Sequence, residues 1–171
     1  MTRPQPGEAA PSNSRYIDLV PETDIVAVLR SQLDETMAVL APVTEELSLK
    51  AYEEGKWTLR QVLNHINDGE RIFTFRALWI ARGLKEPLPG FEQDDCVAGA
   101  RANDTSWNSL VDEFRIVRLA TVAFFEKVPS DAWSNVGVAN DSPVTVRALA
   151  YMIAGHVRHH LGVIKERYLS V

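Results

Sequence analysis

The sequence predicts an all-α fold, a four-helix bundle, and three observations carry that expectation. Apolar residues recur at helical spacing along four separate stretches, each roughly 18 to 26 residues long. Breaker-rich connections divide these stretches, and two of the connections are long. No pair of alternating runs reads as a strand pair, and no segment repeats.

The elements follow in order. Residues 1–15 hold Pro4, Pro6, Pro11, Gly7, Ser12, Asn13 and Ser14, a composition that predicts a mobile tail ahead of one domain over 16–171. Ile25, Val28, Leu29, Leu33, Met37 and Leu40 mark the first helix, starting near Glu22 or Thr23; Pro42 ends it or starts a short second turn through Glu46. Thr58 and Gln61 fit a capping box that opens the second helix, which runs to about Arg82 with Gly83 as its cap. Residues 84–104, with Pro87, Pro89, Gly90 and the acidic pair Asp94 and Asp95, read as a long loop of the kind that carries function. The third helix is expected from about Ser106 to Lys127, ahead of Pro129. The fourth runs from near Thr145 to about Leu169, after an irregular stretch containing Trp133, Gly137 and Pro143.

Composition narrows the function. The 171 residues suffice for one domain with a real core, and 46% hydrophobic with 24% charged residues is ordinary for a globular protein. A net charge of −5 with scattered basic residues argues against nucleic acid as a partner. No apolar run is long enough to span a membrane, and the N-terminus lacks a signal-peptide core. The single cysteine, Cys96, precludes an intrachain disulfide and reads as inert. A cytoplasmic location is the simplest expectation.

All four histidines fall on two of the expected helices. At about 100° per residue, Ile153, His156, His160 and Ile164 lie within about 60° of Leu149. His156 and His160 therefore stack on one apolar face, close enough for both rings to reach a single ion. His159 lies near the edge of that sector. The same arithmetic puts His65 inward with Val62, Gly69, Ile72 and Ile80, and Gly69 leaves room above its ring. Two adjacent buried imidazoles would cost desolvation and repel if protonated, and a metal removes both penalties. A third inward histidine on a second helix makes a divalent transition metal on His65, His156 and His160 the better explanation. Ligand type suits Zn, Ni, Fe or Cu without choosing among them. Three protein ligands leave open positions, as at a catalytic centre. Asp68 is a candidate fourth ligand or support, with a solvated surface carboxylate as the alternative. Arg76 lies nearly in line with His65, and a buried arginine needs a carboxylate or an anionic ligand. Asp94 and Asp95 read first as solvated loop or helix-capping residues; if their loop folds over the ion, one of them would orient a metal-bound water or pair with Arg76. Trp57 and Trp133 read as packing plugs. Ala150, Ala154, Val157, Leu161 and Tyr168 form a second apolar flank, either core or a dimer face.

The run from Gly55 through Trp57 and Thr58 to His65 resembles the DinB-like (DinB/YfiT-like metalloenzyme) superfamily. Asp68-Gly-Glu-Arg71, Phe75-Arg-Ala-Leu78, the segment from Pro87 to Asp95, and His156-Val-Arg-His-His160 carry the same likeness, over about residues 22–169. The resemblance implies a four-helix bundle with three histidine ligands, at His65, His156 and His160, and often a homodimer. Characterised relatives include transferases and isomerases that use a low-molecular-weight thiol such as bacillithiol, mycothiol or glutathione. One departure stands out: Leu161-Gly-Val-Ile164 replaces the Gly-Gln-Ile of many relatives, which leaves a polar contact beside the ligands unsupported.

Three functions are compatible with these residues. A thiol S-transferase acting on an electrophilic small molecule ranks first, with the ion lowering the thiol pKa and Arg76 as an anion clamp. A metal-dependent hydrolase ranks second and needs a base near the ion, for which Asp68, Asp94 and His159 are the candidates. A non-catalytic metal- or ligand-binding stress protein ranks third.

Overall fold

The computed structural model describes residues 2–169; Met1 at the start of the expected tail and Ser170 and Val171 at the end of the expected domain lie outside the described residues. Four long helices dominate: α2 (Ile25–Leu40), α4 (Leu59–Ala81), α6 (Trp107–Phe125) and α7 (Val146–Val163). Three short ones join them: α1 (Ser14–Ile17), α3 (Glu45–Ser48) and α5 (Gln93–Ala100). Helix α4 packs against both α6 and α7, and α2 closes the other side against the same pair. Past Val163, α7 widens into a π-helical turn over Ile164–Tyr168.

The helix starts are chemically explicit. Asp24 accepts from Ala27 N–H at the head of α2, and Thr145 accepts from Ala148 N–H at the head of α7. At α4, Thr58 Oγ1 accepts from Gln61 N–H while Gln61 Oε1 accepts from Thr58 N–H, the expected capping box.

The fold is mostly helical but not all-α. Val136–Ala139 (β1) pairs antiparallel with Ser142–Thr145 (β2), a hairpin that sequence periodicity did not predict. Asn140 and Asp141 form its turn, both at positive φ (51° and 55°), as a two-residue hairpin turn requires. Leu88 pairs beside it, donating to Val138 O and accepting from Asn140 N–H, so the connection after α4 is fastened to the hairpin. The stretch expected as one long loop also contains a helix, α5, which ends at Arg101 in a left-handed conformation.

Residues 2–15, set apart by composition as a tail, lie against the helices. Arg147 ion-pairs with Glu8, whose carboxylate also accepts from Thr145 Oγ1. Arg3 donates to Ile17 O. Helix α1 crosses α7 at Gly155, where an added Cβ would come within 1.9 Å of Tyr16 O. Only a glycine admits that approach.

The core divides in two. One apolar cluster gathers Ile25, Leu29, Phe73, Phe125, Trp133 and Leu149; the other gathers Leu40, Leu63, Trp107, Phe114, Leu161 and Ile164. Each long helix contributes to both. Between the clusters runs a buried polar belt. Arg118 Nε and Nη2 donate to the two Glu70 oxygens at 2.8 and 2.7 Å, and its Nη1 donates to Gln32 Oε1 and Leu29 O. Gln32 in turn donates to Ala154 O. The belt thus ties α2, α4, α6 and α7 together. The flank Ala150, Ala154, Val157, Leu161 and Tyr168 is buried within this one chain, which resolves it as core.

Candidate metal centre

Helices α4 and α7 bring His65, His156 and His160 to one point. Each offers a ring nitrogen within 4.8 Å of the other two. His156 Nε2 lies 3.0 Å from His65 Nε2 and 3.1 Å from His160 Nε2. Three nitrogens at ~2.0–2.1 Å around a tetrahedral ion would stand ~3.3 Å apart, close to what is found. Hydrogen bonding alone serves the cluster poorly. A neutral ring nitrogen either donates one proton or accepts along one lone pair, so His156 Nε2 cannot make two good bonds at once. A divalent cation on the three lone pairs fits the donor set.

Burial keeps those lone pairs available. It pulls His65 down to about 4, against a smaller upward pull from Asp94. It pulls His160 down to about 3, with His65 and His159 adding to the effect. His156 falls well below the ordinary histidine range, by burial and then by His160 and His65. All three are neutral at physiological pH.

Aromatic side chains form a collar. Tyr16 meets the His156 ring edge-on at 5.3 Å, and Phe73 does so at 5.8 Å. Trp57 lies 4.9 Å from the His65 ring. Tyr168, delivered by the π-helical turn, donates to Trp57 O at 2.5 Å and fixes that segment. Gly69 has a sharper role than space above His65: the His156 ring fills the gap, and a Cβ there would sit 2.9 Å from His156 Cε1.

The other sequence candidates separate. His159 is partly buried beside Tyr16 and His160, with ring centroids at 5.6 and 5.0 Å, and is outside the three-nitrogen cluster. Asp68 is engaged elsewhere: it accepts from Asn64 Nδ2 at 2.7 Å and pairs with Arg71. Burial raises its pKa, partly offset by Arg71. Asp94 and Asp95 are exposed in the first turn of α5, and neither pairs with Arg76. Asp94 lines a cavity of about 340 Å³ with His160, Trp57 and Lys56. A second cavity, about 220 Å³, opens on His65 and His156 and contains Arg76. Gln93 touches both cavities. Trp133 stacks on Phe125 as a packing plug, whereas Trp57 abuts the site. Tyr16 and the Glu70–Arg118 pair were not singled out from sequence. Tyr16 sits one residue past the expected tail, and ion pairs between distant helices leave no local signal.

A family model of the DinB superfamily matches residues 29–164, and the chain belongs to that superfamily. Two solved structures share its fold at low identity. One is YfiT from Bacillus subtilis, described as a probable metal-dependent hydrolase with an unusual four-helix bundle topology. It matches at TM-score 0.73 and 14% identity, over 95% of this chain and 89% of that one. The other is a mycothiol-dependent maleylpyruvate isomerase, at TM-score 0.70 and 15% identity, over 86% of this chain. The match spans 61% of the isomerase, so about two-fifths of that protein has no counterpart here. A search of curated protein sequences finds no match.

Proposed function

We propose that this protein is a metal-dependent transferase that joins a low-molecular-weight thiol to an electrophilic small molecule, with His65, His156 and His160 as the metal ligands. The observation that carries the reading is the pair of cavities flanking the histidines. One opens on His65 and His156, the other on His160. Two compartments meeting at one centre suit two reactants better than one substrate and water. A divalent ion held there supplies a Lewis acid that lowers the pKa of a coordinated thiol.

The chain's own residues would do the rest. The aromatic collar of Tyr16, Phe73 and Trp57 excludes bulk water and strengthens electrostatic interactions at the centre. Neutral imidazoles leave the ion its full positive charge. Lys56 and Asp94, on the His160 side, offer a cation and a carboxylate to the polar groups of a small thiol. Asp94 is also what a metal-dependent hydrolase would use as its base, the second reading. A passive metal-binding protein is the third.

One experiment separates them. Protein loaded with zinc, nickel or iron is incubated with chlorodinitrobenzene or a bimane electrophile, with and without glutathione, bacillithiol or mycothiol, and in parallel with ester and amide probes. The transferase reading expects thiol-dependent loss of the electrophile that His160→Ala abolishes. Turnover of ester or amide probes without thiol supports the hydrolase. Metal-linked stabilisation with neither activity supports passive binding. Absence of bound metal after supplementation removes all three.

Among the described residues no helix is long and apolar enough to cross a membrane. The proposal places the protein in the cytoplasm as one domain over 16–171 and as a homodimer, the last to be tested by light scattering of the purified chain.

A further inference from the structure

Among the described residues three arginines are buried, and two of them have carboxylate partners. Arg118 grips Glu70 with two nitrogens. Arg60 pairs with Glu45 and also donates to Ser48 Oγ and the carbonyls of Asn103 and Thr105. Arg76 is 7% exposed and has no such partner among the described residues. Its Nη2 donates to Pro89 O at 2.7 Å, and its Cζ stands 5.7 Å from the Phe91 ring centre. Among the described residues, Nε and Nη1 have no hydrogen-bond partner. A buried cation without a counter-charge is costly, and burial alone pulls the Arg76 pKa down.

The surroundings repeat the message. Arg76 lines the cavity that reaches His65 and His156, and Arg15, exposed on α1, lines it too. Among the described residues no aspartate or glutamate lines that cavity, although the chain as a whole carries a net charge of −5. Uncharged hydrogen-bonding groups complete the wall, among them Asn13, Asn140 and Ser142. At about 220 Å³ the space suits a molecule smaller than a typical drug.

We propose that this cavity binds a small, elongated carboxylic acid, its carboxylate on the two-donor guanidinium edge of Arg76 that the Pro89 carbonyl leaves open and its other end directed at His65 and His156. The planar guanidinium edge matches the two oxygens of a carboxylate. Eleven residues of α4, ~16 Å of helix axis, separate Arg76 from His65, so several bonds lie between the anionic group and the reacting end. A single deep arginine balances one negative charge, which favours a carboxylate over a phosphate dianion. The carboxylate site stands on its own; that the far end reacts rests on the metal-centre reading above.

Calorimetry on the full chain, metal-free and zinc-loaded, tests this with 3-phenylpropionate, benzoate, their amides and phenyl phosphate. The carboxylates are expected to bind roughly tenfold or more tightly than the amides. Arg76→Gln should erase that preference, Arg76→Lys should restore part of it, and Arg15→Gln should reduce it less. Equal binding of acids and amides by the wild-type protein overturns the inference, whether or not any variant folds. Tighter binding of phenyl phosphate than of either acid overturns the carboxylate assignment. The two readings fail separately: a carboxylate preference in protein that takes up no zinc leaves this inference standing and removes the metal centre, and stoichiometric zinc without the preference does the reverse.

Discussion

Replacing Gly69 by alanine is expected to weaken metal binding while leaving the fold intact. The new Cβ would stand 2.9 Å from His156 Cε1 and 3.3 Å from Nδ1. Carbon atoms in ordinary contact stay about 3.5–4.0 Å apart, so the ring must move by ~0.6 Å or more. Metal–ligand distances hold to about 0.2 Å, and the displaced nitrogen would leave that range. Loss of a group that orients a ligand typically lowers metal affinity about 10–100-fold, and the same range is expected here. Folding should suffer less. Alanine gains about 1 kcal/mol over glycine in a helix interior, against about 1–3 kcal/mol for overpacking, which leaves a net change of ~0–2 kcal/mol. Zinc affinity is read by competition with a chromogenic chelator near neutral pH, and stability by urea unfolding of the metal-free protein. Gly162→Ala is the control, because a Cβ there meets nothing within 4 Å. Zinc affinity of folded Gly69→Ala within about twofold of wild type would refute the reasoning, since His156 would then not be a ligand held against this glycine.

Three further outcomes are expected. Glu70→Gln leaves the Arg118 charge buried without its partner and should cost about 3–5 kcal/mol in urea unfolding, most of it regained in a Glu70→Leu/Arg118→Met double variant; a cost below about 1 kcal/mol would contradict the pairing. In the metal-free protein, His65 and His160 are held at about 4 and about 3, below the ordinary 6.5, so between those limits the unfolded chain binds protons that the folded chain refuses. Stability should be fully present above about pH 6.5 and fall on acidification toward pH 4 and then 3, by about 1.4 kcal/mol per pH unit for each histidine; a flat profile from neutrality to about pH 5 would contradict it. Gly155→Ala sets a Cβ 1.9 Å from Tyr16 O and should lift α1 from α7, seen as faster limited proteolysis before Ile17 with the long helices still folded.

Much of the frame was readable because its signals are local. Thr58 with Gln61, Ser106 and Thr145 each announce a helix start within four residues of chain. The meeting of His65 with His156 and His160 follows from rotation about two helix axes plus the requirement that apolar faces turn inward. What escaped lacks local periodicity. The hairpin strands are four residues each, broken by Gly137 and Pro143, and the one available clue was the Asn140–Asp141 turn. Helix α5 has almost no apolar face, so its acidic first turn passed for loop. Composition marked residues 1–15 as a tail, but it cannot register that Glu8 meets Arg147, 139 positions away. Burial of Arg76 was foreseen from its angle to His65, whereas its lack of a carboxylate needed the neighbouring segments in place.

The polar belt at the waist of the bundle has an implication for how the helices find their alignment. Oily faces alone tolerate sliding, since one leucine greets a neighbour much as another does. Moving any long helix by one turn, about 5.4 Å, would strand Glu70, Arg118 or Gln32 against hydrocarbon at a cost of several kcal/mol. The belt therefore works as a vernier mark, and it lies at the same level as His156 on α7. Insertions or deletions inside the long helices should be far more damaging than changes of length in the connections, because only the former carry the histidines away from their common point.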